Sequence, residues 1–171
     1  MTSFTMRRAA IADVPALEET QHQGFKSYKA FTPRGWAPPD RTLEAAAIRD
    51  RLSQPSAWCV IAHAGDEPAG HVGFVAAREG MAHVWALFVR RPYWGSGLAR
   101  RLHAMALAEA TARGYGVMRL YTPAGQARAR AFYEREGWTT DGVVWFEPML
   151  ALDLVEYRRG LPGSEADAAP A

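Results

Sequence analysis

The sequence has one cysteine, two lysines, little net charge and no long apolar run, and each shortage excludes something. Cys59 has no second cysteine to pair with, and a lone cysteine makes no zinc-finger pattern, so neither an intrachain disulfide nor a metal site is expected. It lies in "AWCVIA", a buried-strand pattern, which makes it a core thiol rather than a nucleophile. A formal net charge of +2 is too small to draw a nucleic acid by electrostatics alone. No apolar stretch approaches the roughly 20 residues that span a membrane. "MTSFTMRRAA" also lacks the apolar core of a leader peptide, so the expectation is a soluble, cytoplasmic chain without a membrane partner. With lysine confined to Lys26 and Lys29, arginine carries nearly all the positive charge.

What is present is ordinary for a folded domain. Hydrophobic residues make up 49% and charged residues 22%, a balance that supports a core and argues against disorder. A length of 171 residues suits one domain rather than two. We place that domain at 1–159. From Gly160 the chain reads "GLPGSEADAAPA", small and polar, and 160–171 is expected to be a disordered tail.

Patterning orders the elements. "FTMRRAA" alternates as a first strand, and "ADVPALEETQHQGF" follows as a helix with Asp13 as N-cap and Pro15 in its first turn. "KAFTPRGWAPPD" is broken by prolines and reads as a loop before a second helix from about Asp40 to Leu52. Three strands then form an antiparallel meander, "AWCVIAHA", "AGHVGFVAA" and "AHVWALFV", the last ended by Pro92. Leu98, Leu102 and Met105 mark a helix that Gly114 closes. "VMRLYT" is a strand, "QARARAFYERE" a helix, and "VVWF" with "MLALDLVEY" two last strands. Meander strands followed by strand–helix–strand crossings predict an α/β fold with a mixed sheet and helices on its faces.

One stretch raises a chemical question. "RRPYWGSGLARRL", residues 90–102, puts Gly95 and Gly97 directly before a helix that opens with Arg100 and Arg101. Cations are unfavourable at a helix N-terminus, where the macrodipole is already positive. An anion cradled by the free amides there would offset them. A Walker loop is excluded because no Gly-Lys-Ser/Thr follows, and a dinucleotide fingerprint fits poorly because the third glycine is absent. An ordinary strand-to-helix turn with solvated arginines is the competing reading.

Two segments carry a family resemblance. Trp94, Gly95, Ser96, Gly97, Leu98 and Ala99 resemble the Gln/Arg-x-x-Gly-x-Gly/Ala motif of the GNAT N-acetyltransferases, with Trp94 in place of the usual Gln or Arg. "GQARARAFYEREGW" resembles the later motif of the same superfamily, with Gln126 where Asn is usual, and with Ala129, Phe132 and Tyr133 matching. The resemblance implies a single-domain, mostly antiparallel mixed sheet with helices on both faces. It also implies acetyl transfer from acetyl-CoA to an amine by direct attack.

Roles follow from that resemblance. The loop Trp94–Ala99 and Gln126 would hold the coenzyme, with main-chain amides near Phe88 and Val89 binding pantetheine and thioester if the next strand splays away. Tyr133 would protonate the leaving thiolate or touch its sulfur. His83 is the candidate base, with Glu79 and His71 as alternatives, and alternation puts His83, Trp85, Leu87 and Val89 on one face. Phe25, Tyr28, Trp36 and Trp85 would wall the acceptor pocket. Residues 21–39 contain Lys26, Lys29 and Arg34 but no Asp or Glu, which favours an apolar or carboxylate-bearing small amine over a polyamine. A peptide N-terminus or lysine as acceptor, and a non-catalytic coenzyme-binding module, stay open. So does a homodimer built on the terminal strands.

Overall fold

The structure, a computed structural model, describes residues 1–163. Seven strands form one sheet: β1 (Thr5–Arg8), β2 (Trp58–Ala64), β3 (Glu67–Arg78), β4 (Met81–Val89), β5 (Val117–Pro123), β6 (Val144–Glu147) and β7 (Leu152–Gly160). Their order across the sheet is β1-β2-β3-β4-β5-β7-β6, antiparallel throughout except for β4 beside β5. The helices are α1 (Val14–Lys26), α2 (Arg41–Leu52), α3 (Leu98–Ala112) and α4 (Ala127–Arg135).

Local chemistry accounts for the element ends. The Asp40 carboxylate accepts the amides of Thr42 and Leu43 at 2.9 and 3.1 Å, which caps α2. Asp13 behaves otherwise than the sequence suggested: it has helical backbone angles and caps nothing in α1. Its carboxylate instead takes a two-pronged bond from Arg7, at 2.7 and 2.8 Å, and the amide of Ala10. At the end of α3, Gly114 takes a φ of +82° and the Tyr115 amide turns back to Ala110 O at 3.1 Å.

Two cores lie on opposite faces of the sheet. On one, Leu98, Leu102, Ala106 and Ala110 project from α3 at four-residue steps and pack on Val72, Phe74, Ala82, Val84, Met118 and Leu120. Each leucine there contributes about 1.5–3 kcal/mol by its burial. Tyr133 brings α4 to the same face. On the other face, Val14 and Leu17 of α1 and Ile48 of α2 cover Cys59, Ile61, Val75, Trp85 and Ala86. Cys59 is buried, and burial pushes its thiol up to about 12, which fits the core role.

The chain stays in the fold past the expected boundary. Gly160 pairs with Val117, and Leu161 is buried with its amide on Gly116 O at 2.9 Å. The expected disordered tail is thus corrected for residues 160 and 161, because the last strand needs both its register and an apolar plug. The part of that expectation that falls on 164–171 lies outside the described residues.

Candidate active site

The sheet comes apart in its middle. β4 and β5 pair from Met81↔Val117 to Val84↔Leu120 and no further, although β4 continues to Val89 and β5 to Pro123. On its other side β4 stays paired with β3 out to Gly70↔Val89. A cleft therefore opens between two strands that each remain anchored by an outer neighbour.

A bulge in β4 sets what faces this cleft. The β3–β4 register slips between Gly73↔Ala86 and Phe74↔Val84, leaving Trp85 as the extra residue. Alternation is broken there. Trp85, Ala86 and Phe88 pack on the α1/α2 face, while Leu87 and Val89 pack on the α3 face. The expected single face for His83, Trp85, Leu87 and Val89 is thus corrected by one inserted residue.

Main-chain polarity follows the same register. Arg90 N–H donates to Ala69 O at 2.8 Å, so alternation turns the even-numbered amides of this stretch toward β3. Phe88 is one of these, and its carbonyl oxygen would lie 2.7 Å from a Cβ placed on Gly70. The amides of Leu87 and Val89 point into the cleft. Of the two amides named from sequence, Val89 is placed for a ligand and Phe88 is not; Leu87 takes its place.

At the mouth of the cleft stands the N-terminus of α3. Gly95 and Gly97 take φ of +79° and +83°, a left-handed backbone that bends the loop into the helix. Ser96 Oγ donates to Tyr93 O at 2.6 Å and accepts the Leu98 amide at 3.3 Å, which stiffens the turn. The first helical bond runs from Arg101 N to Gly97 O at 3.1 Å. Among the described residues, the amides of Gly95, Gly97, Ala99 and Arg100 have no acceptor. Four free donors at a helix N-terminus form an anion cradle. Leu98 contributes to it only indirectly, because its side chain is in the core.

Side chains lock that cradle to its surroundings. Trp94 Nε1 donates to Val89 O at 2.7 Å, and the guanidinium of Arg128 lies 4.1 Å from the Trp94 ring. Arg100, which sequence left facing an anion or solvent, bonds Glu136 at 2.9 Å beyond α4. Next to this pair, Trp138 Nε1 donates to His103 Nε2 at 2.8 Å, and burial holds that imidazole neutral with a pKa of about 4.

Tyr133 is buried on the α3 side among Phe132, Trp138 and Tyr157, at ring separations of 5.4 to 6.0 Å. Burial raises its phenol well above the usual value, so it carries its proton at neutral pH. Tyr28 is likewise buried, and burial raises its phenol above the usual value. Tyr28 packs with Phe25, Leu152 and Leu154, and Trp36 fixes the segment through a 2.8 Å bond from Nε1 to Leu150 O. Phe25 and Tyr28 are only 6% exposed, so their rings are core rather than surface. Just beyond β5, Gln126 Oε1 accepts from Thr122 Oγ1 at 3.3 Å.

His83 sits on the α1/α2 face at the base of the cleft, beside Arg119 in the strand register. Its ring lies 4.9 Å from Tyr121. Burial, then Arg119 and Arg51, depress its pKa to about 4, so the imidazole is neutral at physiological pH. The two alternative bases are placed elsewhere. Glu79 lies in the turn before β4, beside a cavity of about 340 Å³ at the end where β4 and β5 are still paired. His71 is fully buried against Trp85 and Phe88. Sequence reasoning passed over Arg119 and Tyr121, although polar residues alternating in a central strand, "VMRLYT", were the available signal.

Residues 21–138 match the acetyltransferase (GNAT) family. The chain is 33% identical over 109 residues to the mycothiol acetyltransferase of Streptomyces bingchenggensis, an alignment covering 60% of this chain and 35% of that protein. The chain thus spans about a third of the length of the curated relative it matches. Its fold is similar to that of the ribosomal-protein-S18-alanine N-acetyltransferase of Escherichia coli, with a TM-score of 0.71, 17% identity and 99% of each chain covered. It is also similar to the PaiA N-acetyltransferase of Thermoplasma acidophilum in complex with coenzyme A, with a TM-score of 0.67, 16% identity, and 90% and 98% of the two chains covered. No helix among the described residues is long and apolar enough to cross a membrane.

Proposed function

The chain belongs to the GNAT acetyltransferase family, and on that footing we propose that it moves an acetyl group from acetyl-CoA to the primary amine of a small molecule. The observation that carries this reading is the cleft itself: β4–β5 pairing stops at Val84↔Leu120, and the free amides of α3 stand at its mouth. The four amides of Gly95, Gly97, Ala99 and Arg100 suit a pyrophosphate. The cleft-facing amides of Leu87 and Val89 suit an extended amide chain and, at its end, a thioester oxygen that gains negative charge.

Each remaining role falls to a named side chain. His83, neutral at physiological pH, accepts the proton that the acceptor's ammonium must lose before its nitrogen can attack. As the carbon–sulfur bond breaks, Tyr133, protonated at neutral pH, gives its phenolic proton to the departing sulfur. Trp94 holds the cradle against the end of β4, so both substrates meet in one geometry. The relative named for mycothiol acetylation supports a small-molecule acceptor.

The test is acetyl-CoA-dependent thiol release measured with a panel of small amines beside a peptide N-terminus. The reading predicts turnover with at least one small amine and its loss in the double variant His83→Ala, Tyr133→Phe. Turnover confined to the peptide would replace the small-molecule reading, and coenzyme binding without turnover would reduce the protein to a binding module.

A further inference from the structure

Six buried side-chain polar atoms have no hydrogen-bond partner among the described residues: Gln21 Oε1, both ring nitrogens of His71, His83 Nδ1, Trp85 Nε1 and Arg119 Nε. Of these, His83 and Arg119 lie side by side in the strand register at the base of the cleft, while His71 lies further along the sheet against Trp85 and Phe88. Leaving buried polar groups unpaired costs about 1–3 kcal/mol each, so the adjacent unpaired nitrogens of His83 and Arg119 mark a place that can receive something polar. None of these side chains is a carboxylate.

On the β5 side of His83 the charge is also one-sided. The Arg119 guanidinium lies 5.2 Å from the ring of Tyr121, which in turn is 4.9 Å from His83 and 5.0 Å from Trp145. From α2, the Arg51 guanidinium lies 5.4 Å from the Trp85 ring, and burial lowers its pKa. Among the described residues neither arginine has a carboxylate at ion-pair distance. Of the acids nearby, Glu44 accepts from Gln21 Nε2 at 2.6 Å and faces Arg51 as its opposite charge, while Arg158, the β7 neighbour of Arg119, bonds Glu156. Arg119, a part-buried guanidinium over an aromatic ring and beside His83 in the strand register, therefore lacks an anion, whereas Arg51 has Glu44 as its counter-charge.

We infer that Arg119 binds the carboxylate of the acceptor, so that the acceptor is a small amine carrying an anionic group, its body lying against Tyr121 and Trp145. This rests on the acetyl-transfer reading for the word acceptor, but the anion site is a property of these residues alone. Guanidinium–carboxylate pairs are directional and strong when partly desolvated. A bound carboxylate also offsets the share of the His83 depression that Arg119 adds to burial. Binding the correct acceptor thus raises the basicity of the group that must deprotonate it, whereas a peptide N-terminus or a polyamine brings no such charge.

Binding alone tests this, independently of catalysis. Intrinsic tryptophan fluorescence is titrated with N-acetylphenylalanine and with N-acetylphenethylamine, which differ by the carboxylate. The expected result is at least tenfold tighter binding of the carboxylate, with the preference lost in Arg119→Gln and kept in part in Arg119→Lys. Equal affinities, or no binding of either probe at millimolar concentration, would overturn the inference. A parallel melting shift with coenzyme A separates that outcome from failure of the acetyl-transfer reading, since the coenzyme cradle does not involve Arg119.

Discussion

The indole nitrogen of Trp94 donates to the main-chain oxygen of Val89 at 2.7 Å, tying the glycine loop to the last residue of the strand that walls the cleft. Arg128 stacks on the same ring from α4. Trp94, where the resemblance leads us to expect Gln or Arg, is therefore a structural clamp on the loop. Trp94→Ala is expected to raise the dissociation constant for coenzyme A roughly tenfold, the sum of one hydrogen bond and one cation–π contact. Calorimetric titration measures it, and unchanged affinity would mean that the loop keeps its shape without the clamp.

Tyr133 is held by ring packing, and its hydroxyl has no hydrogen-bond partner among the described residues. Tyr133→Phe removes the proton but not the packing. Turnover should fall about 100-fold or more, the usual scale for a lost acid, with melting temperature and coenzyme affinity little changed. A fall in stability with turnover intact would assign Tyr133 to the core.

His83 is depressed to about 4, so its neutral form dominates at every pH above that value. The rate at saturating coenzyme should rise with pH as the acceptor's ammonium ionises, without an inflection near 6.5 from an ordinary histidine. His83→Gln should lower kcat about 100-fold while leaving coenzyme affinity intact. Initial rates from pH 5 to 9 decide this. A break near 6.5 in the wild type that vanishes in His83→Gln would show that the imidazole is not held neutral as described.

Much of the fold was legible in the sequence because its signals are local. Gly114 and Asp40 end and begin helices by their own chemistry, and the steps from Leu98 to Met105 fix the buried face of α3. The glycine turn was legible for the same reason, since two glycines before a helix act within one turn. What escaped depends on partners far away in the chain. Nothing in "AHVWALFV" announces that Trp85 is extra relative to Gly73, and that single slip moves Leu87 and Val89 to the opposite face from His83. Asp13 looked like a cap until Arg7 came within 2.7 Å of it. The pairing of Arg100 with Glu136, 36 residues on, likewise needed the tertiary fold.

Buried His71 supplies a pH dependence of stability. Burial, then Arg90, depresses its pKa to about 3 in the folded state, while an unfolded histidine titrates near 6.5. Between those values the unfolded chain holds a proton that the folded one refuses, so stability rises with pH across the window and levels off above 6.5. The slope per such histidine is about 1.4 kcal/mol per pH unit. His71→Leu should flatten the profile between pH 4 and 6 by about that amount. Urea unfolding at pH 5 and pH 7 measures it, and a slope equal to that of the wild type would contradict the placement of His71.

The central claim is that the split between β4 and β5 and the amides of α3 receive an acetyl-coenzyme A molecule. Thermal unfolding with acetyl-CoA, coenzyme A and NAD tests it directly. A ligand at about 100 times its dissociation constant adds roughly 2.7 kcal/mol, a shift of roughly 5–10 °C for a chain of this size. The account predicts that shift with acetyl-CoA and coenzyme A and none with NAD. No shift with either coenzyme would make the glycine loop an ordinary turn, and an equal shift with NAD would make the cradle a general diphosphate site.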